Sequence, residues 1–180
     1  MMVTAGIISG GVGAAPSYTS LTNVEEYDGT TFTAVNSMSV GRGATAGSNQ
    51  APQTSLIVFG GNSTPGSSIN NTESYDGTNW TTQSNMALAR QQLGGSGSSS
   101  SSGLAFAGYS TTQVTSTEEY NFSTSTVTPS VWSSGGTMPS SANQKNGSGI
   151  LTAAFAVGGE TPPGAVVNNT DEYNGTNWTS

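Results

Sequence analysis

A ten-residue phrase returns along this chain, and its return limits the possible folds more tightly than any other feature. It reads Thr72-Glu73-Ser74-Tyr75-Asp76-Gly77-Thr78-Asn79-Trp80-Thr81, and again Thr170-Asp171-Glu172-Tyr173-Asn174-Gly175-Thr176-Asn177-Trp178-Thr179. An earlier version is Val24-Glu25-Glu26-Tyr27-Asp28-Gly29-Thr30-Thr31-Phe32-Thr33. A fourth, Thr117-Glu118-Glu119-Tyr120-Asn121, reaches its Trp132 only after an insertion running from Phe122 to Val131. The tyrosines at 27, 75, 120 and 173 are 48, 45 and 53 residues apart. A period in this range marks a chain that stacks one supersecondary unit, each copy burying its apolar face against the next.

Other positions keep the same register. The aromatics Phe32, Trp80 and Trp132 are each followed six residues later by a methionine, Met38, Met86 and Met138. Arg42 and Arg90 come four residues after the first two methionines. The third copy has Ala142 at that offset, and Lys145, three places on, is a substitute for the arginine. An apolar run ending in a pair of small residues precedes each tyrosine: Gly10-Gly11, Gly60-Gly61, Ala107-Gly108 and Gly158-Gly159.

These runs predict strands. Thr, Val, Tyr and Trp favour pleated, half-buried surfaces, and the Glu, Lys, Arg and Leu on which long helices draw are scarce. Each apolar run ends in glycine, as a strand entering a tight turn would. Asp28-Gly29, Asp76-Gly77 and Asn174-Gly175 are hairpin signals between a tyrosine strand and an aromatic strand. A further strand per unit is expected at about 43–48, 91–97 and 144–150, rich in Gly, Ala and Ser. The stretch Met86 to Leu93 has a briefly helical look, but its counterparts do not, so a loop between units is expected there. Ser98 to Ser102 reads as a hairpin turn inside a unit.

A unit of about 50 residues with a double glycine, a Tyr, a Trp, then Met and Arg resembles the kelch motif, over essentially the whole chain. The resemblance implies an all-β fold, a kelch-type β-propeller in which each repeat is one four-stranded antiparallel blade. It implies structural roles for Gly10, Gly11, Tyr27, Phe32, Met38, Arg42, Gly60, Gly61, Tyr75, Trp80, Met86, Arg90, Gly108, Tyr120, Trp132, Met138, Gly158, Gly159, Tyr173 and Trp178. Small-residue strands would crowd a narrow central channel, and the Tyr and Trp rings would lie between blades. One repeat region covers 1–180, with units at about 1–38, 39–86, 87–138 and 139–180.

The pattern is incomplete at both ends. The first unit has no Met and Arg before it, and so its blade lacks an inner strand of its own. The last unit stops at Trp178-Thr179-Ser180. Three arrangements are compatible with this: an excerpt of a longer protein, several chains completing a ring, or an open stack. The excerpt is preferred. Unpaired edges and exposed aromatic surface would invite association.

Composition removes whole classes of function. The chain carries ten acidic residues against Arg42, Arg90 and Lys145, a net charge of -7. Nucleic-acid affinity rests on Lys and Arg at phosphates, so no nucleic-acid partner is expected. A polybasic membrane-surface site is excluded on the same ground, and no apolar run approaches the roughly 20 residues of a spanning helix. There is no Cys and no His. That removes thiolate chemistry, a copper-radical oxidase site, and the commonest general base and metal ligand. A serine nucleophile would lack its histidine, and no lysine follows the glycine pairs at P-loop spacing.

The acids Glu25/Glu26/Asp28, Glu73/Asp76, Glu118/Glu119 and Asp171/Glu172 resemble catalytic pairs. Each nevertheless occupies a repeated position, capping a turn or facing solvent, whereas catalytic groups are usually unique. Arg42 and Arg90 are expected to bond structurally to acids of a neighbouring blade. No catalytic residue, cofactor or metal is expected. The insertion is the elaborated loop, so Phe122, Ser123, Thr124, Thr126 and Val131 are its candidate contact residues.

The expected function is a non-enzymatic structural or interaction module, virion-associated (fibre or decoration) or on an extracellular surface. Its polar, degenerate repeats resemble phage or bacterial surface kelch-like proteins. The expected partners are other subunits, as a homo-oligomer or larger assembly, and host glycans. The alternatives are a cytoplasmic kelch adaptor and a non-catalytic piece of a larger carbohydrate-active enzyme.

Overall fold

The computed structural model describes residues 5–64, 67–122, 131–139 and 141–180. Every regular element among them is a β-strand. Among the described residues, no helix is long and apolar enough to cross a membrane.

The first sheet contains β1 (Gly6–Ser9), β2 (Val24–Tyr27) and β3 (Phe32–Val35), in that order. The second contains β4 (Ala46–Gly47), β5 (Leu56–Phe59), β8 (Thr72–Tyr75) and β9 (Trp80–Gln83), with a two-stranded excursion, β6 (Asn62–Thr64) and β7 (Ser67–Ser68), between its middle strands. The third contains β10 (Gly94–Ser99), β11 (Ser102–Phe106), β12 (Thr117–Asn121) and β13 (Val131–Ser134). The fourth contains β14 (Asn146–Ile150), β15 (Ala153–Val157), β18 (Thr170–Tyr173) and β19 (Trp178–Thr179), with the excursion β16 (Glu160–Thr161) and β17 (Ala165–Val166). All pairings within these sheets are antiparallel, and no sheet closes on itself.

The sequence phrases fold alike because the same local chemistry recurs. Asp76 Oδ1 accepts hydrogen bonds from the Thr78 and Asn79 amides at 2.8 and 2.7 Å. Asp28 and Asn174 make the same turn, and the glycine after each sits at φ 98°, 95° or 90°. A short acceptor side chain followed by a residue free to take positive φ is what such a turn requires. Ser99 pairs with Ser102, so the serine run is a hairpin turn as expected. The stretch from Met86 to Leu93 is a connection between sheets.

The first strands begin later than the sequence suggests. Strand β4 begins at Ala46 rather than 43, β10 at Gly94 rather than 91, and β14 at Asn146 rather than 144. The cause is a left-handed residue at one repeated position, Ala44 (φ 48°), Gln92 (φ 52°) and Gln144 (φ 55°). Its backbone joins neighbours: the Gln92 amide donates to the Ala44 carbonyl at 2.9 Å, and the Gln144 amide to the Gln92 carbonyl at 3.1 Å.

The sheets pack face to face, and the core lies in the three seams between them. Val24, Met38, Leu56, Val58 and Tyr75 fill the seam of the first and second sheets. Ile57, Phe59, Met86, Leu93, Ala105 and Tyr120 fill the next. Leu104, Phe106, Met138, Ala154, Ala156, Tyr173 and Trp178 fill the last. Alternation along each strand produces this, since Leu56 and Val58 face one neighbour while Ile57 and Phe59 face the other.

Candidate functional site

The repeated polar residues converge on one device. Arg42 lies in the connection between the first two sheets. Its amide donates to the Leu21 carbonyl at 3.0 Å, and the Gly11 amide donates to the Arg42 carbonyl at 2.8 Å, so its backbone belongs to the first sheet. Its side chain belongs to the second: Nη1 donates to the Asn71 carbonyl at 2.8 Å, and Nη2 to Glu73 Oε2 at 2.5 Å. Glu73 Oε1 also accepts from the Ser39 amide and hydroxyl, both at 2.7 Å. The connection is thereby stapled across the seam.

Arg90 repeats the arrangement between the second and third sheets. Its amide donates to the Ile69 carbonyl at 3.2 Å. Its guanidinium reaches Glu118 Oε1 at 3.0 Å and the Ser116 carbonyl at 2.7 Å. Between the third and fourth sheets the Met138 amide donates to the Thr115 carbonyl at 3.1 Å, and Lys145 Nζ donates to Asp171 Oδ2 at 3.1 Å. Lys145 therefore takes the place that Ala142 leaves vacant. All three ion pairs are buried. Burial pulls the Arg42 and Arg90 guanidiniums below their ordinary range, and the paired carboxylate opposes it. Two buried charges must be mutually paired and hydrogen-bonded, because desolvation otherwise exceeds their attraction.

One expectation is corrected here. Each cation pairs with an acid of the sheet into which its own connection leads, not with an acid of a neighbouring unit. The reason is register: Glu73, Glu118 and Asp171 occupy one position of the third strand, facing the seam through which that connection arrives.

The aromatic positions tie the same seams. Tyr75 stacks on Trp80 with ring centroids 4.9 Å apart, and its hydroxyl donates to Glu26 Oε1 at 3.0 Å. Tyr120 donates to Gln83 Oε1 at 3.0 Å, and Tyr173 to Glu119 Oε1. The indoles of Trp80, Trp132 and Trp178 each donate back to the preceding sheet's side, to the Asn36 carbonyl, the Ser84 carbonyl and Thr117 Oγ1. Burial and the Glu26 carboxylate push the Tyr75 hydroxyl up to about 12, and burial with Glu119 pushes Tyr173 higher still. The glycine pairs leave room for the staple: a Cβ on Gly60 would meet the Arg90 carbonyl oxygen at 2.8 Å and Met86 Cε at 2.9 Å.

What does not repeat lies in the connection that follows each glycine pair. The first sheet has a bridge from Val12 to Ser20, the second the β6–β7 hairpin, the third a bridge from Tyr109 to Gln113, and the fourth the β16–β17 hairpin. Between the last two lies a cleft of about 310 Å³, lined by Gln113, Asn143, Glu160, Thr161 and the Pro162-Pro163-Gly164 turn. Asn143 Oδ1 is buried there without a hydrogen-bond partner. Sequence reasoning missed this cleft, because its residues come from three segments and none repeats. Of the insertion residues, Phe122 is exposed and Val131 opens β13. Ser123, Thr124 and Thr126 lie outside the described residues.

Among the described residues, no three His, Cys, Asp or Glu side chains gather as metal ligands would. No family model matches the chain, and no curated protein matches it. Solved structures do. One of them, the structure of YjhT, superposes with a TM-score of 0.68 at 12% sequence identity, covering 88% of this chain and 51% of that one. The chain thus has the length of about half of that protein, and the likeness is one of fold.

Proposed function

We propose that the four sheets are blades of a kelch-type β-propeller region, and that the protein is a non-enzymatic structural and interaction module. It works on a virion, as fibre or decoration, or on another extracellular surface. One observation carries this reading. The residues that recur from sheet to sheet are engaged in holding the sheets together, with Arg42, Arg90, Lys145 and their acids buried in ion pairs. The segments that vary are exposed connections of the kind that carries recognition on a rigid scaffold. A likeness of fold that covers 88% of this chain supports the β-sheet architecture on which the reading is built.

Contact with other subunits or with host glycans falls to the excursions and to the loop after Phe122. The cleft beside Glu160 offers amide, hydroxyl and carboxylate groups suited to sugar hydroxyls. A glycan array and a pull-down from assembled particles test this, using the unchanged protein, an Asn143→Ala/Glu160→Gln variant, and a deletion of 123–130. Binding that falls at least tenfold in one of the variants, with the β-sheet circular dichroism intact, is the expected result. Binding indifferent to every loop change, or no binding to either class, overturns the reading.

A further inference from the structure

Charge is distributed unevenly over this chain. Its three cations, Arg42, Arg90 and Lys145, are buried against Glu73, Glu118 and Asp171. The remaining seven acids have no side-chain cation to pair with. A surface of one sign draws ligands of the other, most strongly into a cleft with low-dielectric walls. One of these acids, Glu160, lines the cleft of about 310 Å³ between the third and fourth sheets.

That cleft is rich in acceptors and poor in donors. Glu160 Oε1 stands over the Pro162-Pro163-Gly164 turn, where a Cβ on Gly164 would come within 3.1 Å of it. Asn143 turns its Nδ2 to Gln92 Oε1 at 3.5 Å, which leaves Oδ1 buried and without a partner. The donors nearby are engaged. The Asn143 and Glu160 amides donate to each other's carbonyls at 3.1 and 3.0 Å, and the Gly164 amide donates to the Thr161 carbonyl at 2.7 Å. The Thr161 hydroxyl donates to the Ala165 carbonyl at 3.3 Å. Pro162 and Pro163 have no N–H. Among the lining side chains, only Gln113 is left to donate.

We infer that this cleft binds the ammonium group of an unacetylated amino sugar. An ammonium brings three donors and no acceptor, which is what Glu160 and Asn143 Oδ1 call for. Its bond to the carboxylate is charge-assisted, and its bond to Asn143 relieves a buried acceptor left unpaired. A neutral hydroxyl brings lone pairs that find little here but Gln113, and an anionic sugar meets Glu160 as a like charge. The Gln113 amide and the proline rings suit the hydroxyls and C–H faces of a sugar ring, which a lysine side chain lacks.

This inference rests on reading the cleft as a sugar site and names the sugar. The isotopically labelled 180-residue protein is titrated with glucosamine, N-acetylglucosamine, glucose and Nα-acetyl-lysine amide, and followed by NMR at a pH where the amines are protonated. Glucosamine is expected to move the Gln113, Asn143 and Glu160 signals and to bind at least about tenfold more tightly than N-acetylglucosamine. Raising the pH past the amine's own titration should erase that preference. Glu160→Gln should erase it too, and Asn143→Ala should reduce it. Glu160 holds no ion pair among the described residues, so its variant keeps the parent's thermal midpoint. Glu172→Gln, an exposed acid outside the cleft, should leave binding unchanged. Equal binding of the acetylated and free amine, or a preference that survives Glu160→Gln, overturns the inference and leaves the sugar reading standing. Binding of the lysine derivative without glucosamine assigns the cleft to a protein side chain and overturns the inference. Binding of none of the four overturns both.

Discussion

The second and fourth sheets solve one problem with different parts. In the second, a long acid meets a forked cation: Glu73 is held by Arg42, which also bonds the Asn71 carbonyl at 2.8 Å. In the fourth, a short acid meets a linear cation that starts three residues later: Asp171 is held by Lys145 at 3.1 Å, with Asn169 and Ser180 Oγ bonding its oxygens. The guanidinium can serve a carboxylate and carbonyls together, because its donors lie in a fixed plane. The ammonium is a point charge, so the remaining lone pairs of Asp171 are met by neighbouring side chains. What the two sheets share is therefore not a residue type but a requirement: a buried carboxylate on the third strand must receive a cation from the incoming connection.

That comparison can be broken first at its strongest point. Arg42→Ala leaves Glu73 buried without its cation, and the expected loss of stability is about 3–5 kcal/mol, read by urea unfolding. Lys145→Ala should cost less, about 1.5–3 kcal/mol, because its ammonium bonds Asp171 alone, whereas the Arg42 guanidinium also holds the Asn71 carbonyl. Equal losses would show that the bond to Asn71 contributes nothing.

A second comparison concerns the rings. Trp178 is 6% exposed and packs edge-on against Phe106 at 5.1 Å. Trp178→Ala is expected to cost about 3–5 kcal/mol. Trp80 is only half-buried, since the first sheet offers Ser9 where the third offers Phe106. Trp80→Ala should cost clearly less, and Ser9→Phe should narrow the gap by covering the ring.

The smallest effect is in alkali. A tyrosine whose folded pKa is raised contributes stability that is complete below the ordinary value of about 10 and is lost as pH rises through the folded value. For Tyr75 that window runs from about 10 up to about 12. Tyr173, pushed higher by burial and by Glu119, should resist longer. Tyrosinate absorbance followed with pH in Tyr75→Phe and Tyr173→Phe variants separates the two. Ionisation of Tyr173 before Tyr75 would contradict the packing described for the last seam.

Large side chains made much of this readable in advance. Tyr75, Trp80, Met86 and Arg90 recur at fixed offsets because each fills a volume that only a residue of that kind fills. The staple was half legible: the cations and acids stood in register, but which acid each cation meets depends on the strand face, and one residue of shift reverses that face. The hairpins β6–β7 and β16–β17 were not legible, because strands of two or three residues are held by backbone pairing and are too short to carry a side-chain pattern. The late start of the first strands was hidden for a related reason. Ala44, Gln92 and Gln144 adopt a left-handed conformation that glycine usually marks.

The Asx turns have a consequence in chemical ageing. Asn174-Gly175 is the sequence at which asparagine loses ammonia most readily, since a glycine amide attacks the side chain without hindrance. In most proteins the resulting aspartate is damage. Here the two equivalent turns already contain Asp28 and Asp76, whose oxygens accept the same two backbone amides. Hydrogen bonding to those amides draws both carboxyls below their usual range, so the turn favours the charged form. Deamidation at Asn174 to normal aspartate would convert the last hairpin into a copy of the first two, and Asn174→Asp should unfold at the same urea concentration as the parent. The isoaspartate that the same cyclic intermediate also yields lengthens the backbone by one carbon, so only the aspartate share of ageing adds charge and spares the turn.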